Sequence, residues 1–384
     1  MVKVVRLKKR IGRIRNTIYS KWVYDDGGAE PGEEVIIESY ERETIGIGIY
    51  DGVGAVSVRI LSRERIRPIR EVIEDNILKA YQIRRRLGWD SYRLINSDAD
   101  DLPGLIIDIY GDTAVIQSGS IGIDKYLDTI AKILDKHGIA SKTYVRNDQR
   151  SRKEIGLEIW KDWIYGEGDI EVIITEGKAK FKVNIEVGHK TGFFLDQRMN
   201  RLEVRLYSRG GRVLDLFSYT GGFGIHSLLN GAYKVVFVEK DPTAIEYLNE
   251  NLKLNKLMER HVEIVEDDVY RYIEERNMGY DLVVIDPNAL IQKRTEYRRG
   301  VERYKYLYSE TYKLLKPGGT AFLSSCSYFL KTDRYIKIVN ELSPKPYIVG
   351  GLRGASPDHP YRVDTPELNY LKALYIYKSR GYTT

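Results

Sequence analysis

The stretch VLDLFSYTGGFG, residues 213–224, carries the strongest structural signal in this chain. Its apolar start predicts a buried strand, and its three glycines predict a tight turn that opens a helix. A second apolar run, VVFV at 235–238, ends in Glu239. Glycines let the backbone approach a ligand closely, and the N–H groups of a following helix point at that ligand. An acid at the end of the next strand can bind both ribose hydroxyls, so the pattern predicts a nucleoside-containing cofactor.

Two cofactors compete for this pattern. A nicotinamide dinucleotide expects Gly-x-Gly-x-x-Gly, which the glycines here do not match, and the carboxylate of Asp215 would repel its pyrophosphate. S-adenosylmethionine (SAM) has a sulfonium and an amino group and no phosphate, so it suits Asp215. Asp268, which follows the strand-like run at 262–265, adds a third acid after Asp215 and Glu239, so successive predicted strands each carry an acid at or near their end. The order favours SAM over a dehydrogenase cofactor. The alternative is that Glu239 and Asp268 are solvated acids at strand ends.

Length and composition limit the class of protein. A chain of 384 residues is too long for one core, and its 30% charged and 42% hydrophobic residues are typical of a soluble globular protein. No apolar run approaches the roughly 20 residues that span a bilayer, so a cytoplasmic protein without a membrane partner is expected. The single cysteine excludes an intramolecular disulfide and a cysteine-based zinc site, and the five histidines are scattered. No metal is therefore expected.

Basic residues are clustered although the net charge is only +6. One such cluster is more often a solvated surface, but four on one chain favour a polyanionic partner such as RNA. The clusters are Lys8-Lys9-Arg10 with Arg13 and Arg15, Arg63 to Arg67, Arg84-Arg85-Arg86, and Lys293-Arg294 with Arg298-Arg299.

The order of predicted elements indicates an α/β protein with three domains. Short strands punctuated by Gly predict a small β-barrel over 1–68. A helix at 69–87 and a hairpin at 105–117 predict a central α+β domain over 69–187. From about residue 200 strands and helices alternate, which predicts a Rossmann-like domain over 188–384 with a mostly parallel, seven-stranded sheet.

Two strand ends in the third domain carry residues suited to chemistry. Asp286 follows LVVI at 282–285, and Cys326 follows the strand that ends at Ser324. Ligands bind beyond the carboxyl ends of parallel strands, so both are expected to face the cofactor. A cysteine flanked by serines is predicted to be a nucleophile, although a lone cysteine is often a buried small hydrophobe. Thiolate addition at C6 of a cytosine would activate C5 for methylation, with Asp286 bonding the N3 and amine edge of the base.

The chain resembles, over nearly its whole length, the PUA-domain-containing SAM-dependent RNA methyltransferases that form 5-methylcytosine in 23S ribosomal RNA. In that family the first domain is an RNA-binding PUA barrel, which residues 1–68 match loosely. The motifs that carry the resemblance are YRLIN (92–96), DLPGLIID (101–108), GHKTGFFLDQR (188–198), FSYTGGF (217–223), PDHP (357–360) and ELNYLK (367–372).

The resemblance implies a set of site residues. It implies Cys326 as the nucleophile, Asp286 beside it, and rRNA as the partner. The implied cofactor-binding residues are Thr191, Phe194, Asp196, Gln197, Arg198, Asp215, Phe217, Ser218, Thr220, Gly221, Gly222, Glu239, Lys240, Asp268 and Asp286.

One departure from the family pattern keeps other functions open. Such families usually carry Asp-Pro-Pro where this chain has Asp286-Pro287-Asn288. The first alternative is the same fold methylating a guanine nitrogen or N4 of cytosine, with a structural Cys326. The second is an RNA-binding ribosome assembly factor without turnover. The oligomeric state, a homodimer included, is open.

Overall fold

The computed structural model describes residues 2–8, 15–64, 67–275 and 279–380. Within these ranges, no helix is both long enough and apolar enough to cross a bilayer. The chain divides into two compact units, each assembled from separate stretches of sequence. The first unit comprises Met1–Ile174, Val183–Leu195 and Pro357–Leu368. The second unit comprises Thr175–Lys182, Asp196–Ser356 and Asn369–Thr384.

The first unit begins with a six-stranded sheet. Its strands are β1 (Lys3–Leu7), β2 (Thr17–Tyr19), β3 (Val23–Asp25), β4 (Glu34–Glu38), β5 (Thr44–Val53) and β6 (Val56–Ser62). They pair in the order β2-β6-β5-β4-β1-β3. Every second residue of β4 is buried, so Val35 and Ile37 join Val5 and Ile60 in one apolar core. Because β2 and β3 stand at the two ends of this order, closure into the predicted PUA-like barrel stays a prediction.

A five-stranded sheet with helices completes the first unit. Its elements are β7 (Ser91–Asn96), β8 (Leu105–Tyr110), β9 (Thr113–Ser118), β10 (Lys142–Asn147), β11 (Trp160–Tyr165), α1 (Ile69–Arg84), α2 (Ile121–Asp124), α3 (Leu127–Lys136) and α4 (Arg150–Glu154). The predicted helix after residue 68 and the predicted hairpin, now β8 and β9, are confirmed. Ile47, Ile49 and Leu61 of the first sheet lie in the same apolar core as α1 and α3. The first two predicted domains therefore share one unit.

The prediction that residues 84–86 form an exposed basic cluster is wrong for Arg84. Arg84 is 1% exposed and forms a two-pronged ion pair with Asp100, at 2.7 Å for each bond. Its guanidinium therefore stabilises the first unit, and only Arg85 and Arg86 are exposed. Lys9, Arg10, Arg13 and Arg65 of the other clusters lie outside the described residues.

A hairpin of β12 (Glu171–Glu176) and β13 (Ala179–Asn184) contributes residues to both units. The second unit then contains α5 (Arg198–Glu203), α6 (Arg205–Ser208), β14 (Arg212–Leu216), α7 (Gly222–Leu229), β15 (Lys234–Glu239), α8 (Pro242–Leu254), β16 (His261–Glu266), α9 (Val269–Glu274), β17 (Tyr280–Ile285), α10 (Tyr297–Lys313), β18 (Leu315–Ser325), α11 (Thr332–Asn340), β19 (Tyr347–Arg353) and β20 (Lys372–Tyr377). Short 3-10 helices lie at Ser20–Trp22, Arg85–Leu87, Ser97–Asp100, Leu195–Gln197, Arg294–Glu296 and Pro366–Leu368.

The sheet of the second unit has seven strands in the order β16-β15-β14-β17-β18-β20-β19. The first five are parallel, and β20 runs antiparallel to both of its neighbours. The strands predicted near 213, 235, 262, 281, 319 and 371 are all present. The edge strand β19 was not predicted, because its residues are mostly exposed and it contains two glycines at positive φ, Gly350 and Gly351.

The division into units differs from the predicted boundary at residue 188. Residues 188–195 and 357–368 belong to the first unit. The hydroxyl of Thr191 donates to Asp108 at 2.6 Å, and the carboxylate of Asp358 accepts the N–H of Arg93 at 2.9 Å. These buried bonds to distant parts of the sequence attach both segments to the first unit.

Gly224 tests how tightly α7 packs on the sheet. A Cβ on this residue would stand 2.0 Å from Cε1 of the buried Phe237 ring in β15. We expect Gly224→Ala to lower the free energy of unfolding by about 1–3 kcal/mol, because the core must be overpacked. Denaturant unfolding measures this, with Gly354→Ala as the control, since a Cβ there would be 3.6 Å from its nearest neighbour. Equal stability of the two variants would contradict the close packing.

Candidate functional site

Parallel strands of the second unit end at one edge of the sheet, and polar residues gather there. Asp215 lies near the end of β14, Glu239 ends β15, Asp286 follows β17 and Cys326 follows β18. The carboxyl ends of parallel strands share an edge, so the topology brings these four side chains together. Their charges act on one another, because Asp286 and Glu239 both raise the pKa of Asp215.

Asp215 is buried beneath the glycine turn. Its Oδ2 accepts the N–H of Gly224 at 2.8 Å, which fixes the first turn of α7. Burial raises the pKa of Asp215 well above its ordinary value, and the two neighbouring carboxylates raise it further. A cationic ligand would relieve this crowding of negative charge.

The turn between β14 and α7 has a strained backbone. Phe217 and Tyr219 both have positive φ, at 58° and 49°, which side-chain-bearing residues seldom adopt. Such strain is typical of functional sites. A Cβ on Gly221 would stand 2.3 Å from Leu248, and one on Gly222 would stand 2.7 Å from Arg201. These glycines thus make room for the protein's own side chains, a requirement that the sequence analysis did not include.

The same turn carries buried hydroxyls that fit a polar ligand. Ser218 and Thr220 are each 5% exposed, and within the described ranges their hydroxyls have no hydrogen-bond partner. The same holds for the hydroxyl of Tyr270, whose ring lies edge-on to Phe217 at 6.5 Å. Buried polar groups are nearly always hydrogen-bonded, so unpaired hydroxyls beside an aromatic pair fit a cofactor site.

Glu239 and Asp268 have structural contacts that leave room for a ligand. The carboxylate of Glu239 accepts the N–H groups of Tyr219 at 2.8 Å, Lys240 at 2.8 Å and Asp241 at 3.1 Å. Asp268 caps α9 by accepting the N–H of Tyr270, and the ammonium of Lys240 lies 3.4 Å from it. A carboxylate has about four acceptor positions, so Glu239 retains about one for a ribose hydroxyl.

The predicted segment 191–198 is divided between the units. Gln197 donates to Oδ1 of Asp286 at 2.7 Å, and Asp196 accepts the hydroxyl of Tyr370 at 2.6 Å. Thr191 and Phe194 belong to the first unit, so their predicted cofactor contacts stay a prediction.

A buried ionic cluster supports the site, and the sequence analysis missed it. Glu176 is fully buried and accepts two bonds from Arg201 at 2.6 Å each, one from His226 at 3.0 Å, and lies 3.5 Å from Arg198. Burial alone would raise the pKa of Glu176, but Arg201 and His226 hold it well below its ordinary value. Arg198 therefore belongs to this cluster. The partners are 25 and 50 residues apart in the sequence, so no local pattern predicted their contact.

Cys326 stands in a loop whose serines are all anchored. Ser324 donates to Asp286, Ser325 donates to the hydroxyl of Tyr304 at 2.9 Å, and Ser327 bonds the same hydroxyl at 2.8 Å. These serines are fully buried, although they are polar and flank a cysteine that is not. Cys326 itself is half-buried, with its Sγ 3.9 Å from the carbonyl oxygen of Pro287.

Two titratable groups beside Cys326 have shifted pKa values. Burial raises the pKa of Asp286 to about 6. Burial lowers the pKa of Lys372 to about 8, although the charge of Cys326 acts in the opposite direction. Lys372 pairs with Ser325 across β20 and β18, and its ammonium donates to the carbonyl of Ser327 at 2.9 Å. Lys372 was not predicted as a site residue, although it ends the ELNYLK motif and begins an apolar strand.

No group of three or more His, Cys, Asp or Glu side chains is placed to hold a metal ion in the described part of the chain. The site as built offers a strained turn, unpaired hydroxyls, crowded carboxylates and a thiol. This set suits a cationic, hydroxyl-rich cofactor and a nucleophilic step.

Residues 146–372 match the family model described as S-adenosylmethionine-dependent methyltransferase. This match spans more than half of the chain, and the chain belongs to that family. SAM is its cofactor, which excludes the dinucleotide alternative.

The relatives are similar over their full lengths. Ribosomal RNA large subunit methyltransferase I of Shewanella amazonensis is 31% identical over 390 residues, covering 96% of this chain and 98% of the relative. A Methanocaldococcus jannaschii protein, provisionally named as a ribosomal RNA large subunit methyltransferase, is 35% identical over 370 residues, covering 94% and 93%. A solved structure of a provisionally assigned methyltransferase with S-adenosylhomocysteine has a TM-score of 0.82 at 21% identity, covering 98% of this chain and 100% of that one. The structural likeness confirms a methyltransferase fold.

Glu239 provides a test of the cofactor site. We expect Glu239→Gln to weaken SAM binding about 10-fold or more, because charge-assisted hydrogen bonds to the ribose are lost. Titration calorimetry with SAM measures this, and thermal unfolding shows whether the turn itself survives. Glu246→Gln, an exposed change on α8, is the matched control. Unchanged affinity in a folded Glu239→Gln would contradict the assignment.

Proposed function

We propose that this protein methylates C5 of a cytosine in large-subunit ribosomal RNA, with Cys326 as the covalent nucleophile. The names of relatives that match it end to end support the RNA substrate. The observation that carries the mechanism is a half-buried thiol at the carboxyl edge of the sheet, 3.9 Å from the carbonyl oxygen of Pro287, the residue after Asp286. A cysteine is the side chain best suited to covalent catalysis at this carbon.

The chemistry follows from the weak nucleophilicity of C5. The thiolate of Cys326 forms a bond to C6, and the C5=C6 electron pair moves so that C5 becomes nucleophilic. Bound SAM would supply an electrophilic methyl group to that carbon, and the S–CH3 bond would break to leave S-adenosylhomocysteine. A base then takes the C5 proton, the electron pair restores C5=C6, and the S–C6 bond breaks to release the thiolate. Cys326 is the chain's one cysteine, so this base is another group.

Asp286 is suited to hold the base. Gln197 and Ser324 both donate to its Oδ1, which fixes the carboxyl group. Its pKa of about 6 makes the protonated form accessible near neutral pH. In that form Asp286 can donate to N3 of cytosine and stabilise the negative charge that thiolate addition creates.

Lys372 is a positioning residue for the thiol. An ammonium beside a thiol favours the reactive thiolate. The antiparallel β20 brings Lys372 to the carboxyl end of β18, where it is bonded to the residue after Cys326.

A duplex hides its base edges, so the target cytosine must be single-stranded or flipped out. The exposed Asn288 follows Pro287 at the position where the related family usually has a second proline. Asn288 affects which base the site accepts. The next experiment distinguishes methylation of cytosine C5 from methylation of another base atom and from RNA binding without turnover.

The deciding experiment compares wild type with Cys326→Ala. We expect wild type to transfer labelled methyl from SAM to deproteinised ribosomal RNA as 5-methylcytidine, and Cys326→Ala to lose at least about 10³-fold in rate. RNA containing 5-fluorocytidine should trap wild type covalently, because fluorine at C5 cannot leave as a proton. SAM binding by Cys326→Ala is the folding control.

Other outcomes would overturn parts of the proposal. Full activity of Cys326→Ala, or label on another nucleoside, would support the non-covalent methyltransferase. SAM binding without product on any ribosomal RNA would support an assembly factor.

The role of Lys372 predicts a pH effect. We expect Lys372→Met to lower the methylation rate about 10-fold at pH 7 and to move the rising limb of the pH–rate profile upward, because the thiolate loses its neighbouring cation. Lys372→Arg should restore part of the rate. Lys378→Met is the control, since this buried lysine lies beyond the other end of β20 and donates to Tyr312 and Leu315. A profile of Lys372→Met that overlays wild type would contradict the role.

A further inference from the structure

A cavity of about 720 Å³ lies beside the loop that carries Cys326. We name it the Tyr328 pocket, after the exposed aromatic residue in its lining. It is formed by residues 294–298, where a 3-10 turn enters α10, and by residues 328–331, which follow Cys326. We propose that this pocket binds the nucleotide next to the target base in the RNA strand, which rests on the proposed function above.

The pocket is positively charged and suited to a phosphate. Arg294, Arg298 and Lys331 line it and are exposed, and none of them forms an ion pair with another described residue. Arg298 lies in the first turn of the 17-residue helix α10, whose N-cap residue is Glu296. A cation at a helix N-terminus opposes the helix dipole, so this placement is unfavourable for the helix and favourable for an anion.

Its aromatic residues are suited to a nucleobase. Tyr328 is 44% exposed, and the ammonium of Lys331 lies 4.2 Å from the centre of its ring. Phe329 meets Tyr328 edge-on at 5.2 Å and, like Tyr297, packs against the apolar core of the unit. A rigidly supported aromatic ring among cations is the arrangement that binds single-stranded RNA, by base stacking and phosphate contact.

The pocket adjoins the thiol but does not contain it. Tyr328 is two residues after Cys326, a span of at most about 7 Å. Lys331 of the pocket and Cys326 both act on the pKa of Lys372, so all three lie within electrostatic range. Neither Cys326 nor Asp286 is among the lining residues. The occupant is therefore a neighbour of the target base and not the target itself.

The test uses the full-length protein and a short single-stranded RNA that wild type methylates. We expect Tyr328→Ala to raise the KM for RNA about 10-fold or more with kcat within about twofold, and Tyr328→Phe to behave as wild type. Arg294→Gln with Arg298→Gln should reduce the slope of log affinity against log salt by about 1.4, the contribution of two phosphates in a single strand. The controls are Tyr233→Ala, another exposed tyrosine, and Arg205→Gln with Arg209→Gln.

An RNA with an abasic flanking position identifies the occupant. Wild type should lose affinity for it, and Tyr328→Ala should lose nothing further. If the pocket variants match their controls while wild type methylates the RNA, the pocket proposal is wrong and the proposed function stands. If wild type binds SAM but methylates no cytosine, the proposed function is wrong. Retained SAM binding in each variant shows that it has folded. If Tyr328→Ala has not folded, Tyr328→Leu replaces it.

Discussion

The hydrogen bond from the N–H of Gly224 to the buried carboxyl group of Asp215 is the contact on which the site depends. It joins the end of the first parallel strand to the start of α7 and so fixes the strained turn between them. Without this bond a buried carboxyl group would be left unpaired, at a cost of about 1–3 kcal/mol. The turn in turn positions the hydroxyls of Ser218 and Thr220 and delivers the N–H of Tyr219 to Glu239. The candidate cofactor site and the local fold therefore depend on the same few atoms.

The carboxylates at this edge coexist because buried cations lie behind them. Arg201 lowers the pKa of both Asp215 and Asp286, although burial dominates and raises both values. Glu176 holds Arg201 with two hydrogen bonds and also accepts one from His226. The remaining excess of negative charge favours a sulfonium over a phosphate. The electrostatics of the fold thus agree with the cofactor of the family.

The sheet contains both parallel and antiparallel strands, and this mixture explains which residues surround Cys326. Parallel strands bring Asp215, Glu239, Asp286 and the thiol to one edge, and only an antiparallel strand can bring its first residue there. That residue is Lys372. It supplies a buried cation next to the loop that carries Cys326. Tyr304 holds the serines on either side of Cys326, which leaves the thiol fixed but half-buried.

The sequence by itself determined the local elements and the edge at which the site lies. Apolar runs at 213–216, 235–238 and 281–285 and the glycine turn follow rules of short range, so the strands and the positions of Asp215, Glu239, Asp286 and Cys326 could be inferred from them. The Glu176 cluster, the anchoring of the serines and the placement of Lys372 depend on partners 21 to 50 residues apart or on strand order. Burial, which sets the pKa values of Asp286 and Lys372, arises only when the second unit folds. Tertiary structure alone decided these features, because they come from distant segments packing together and not from the local preferences of either segment.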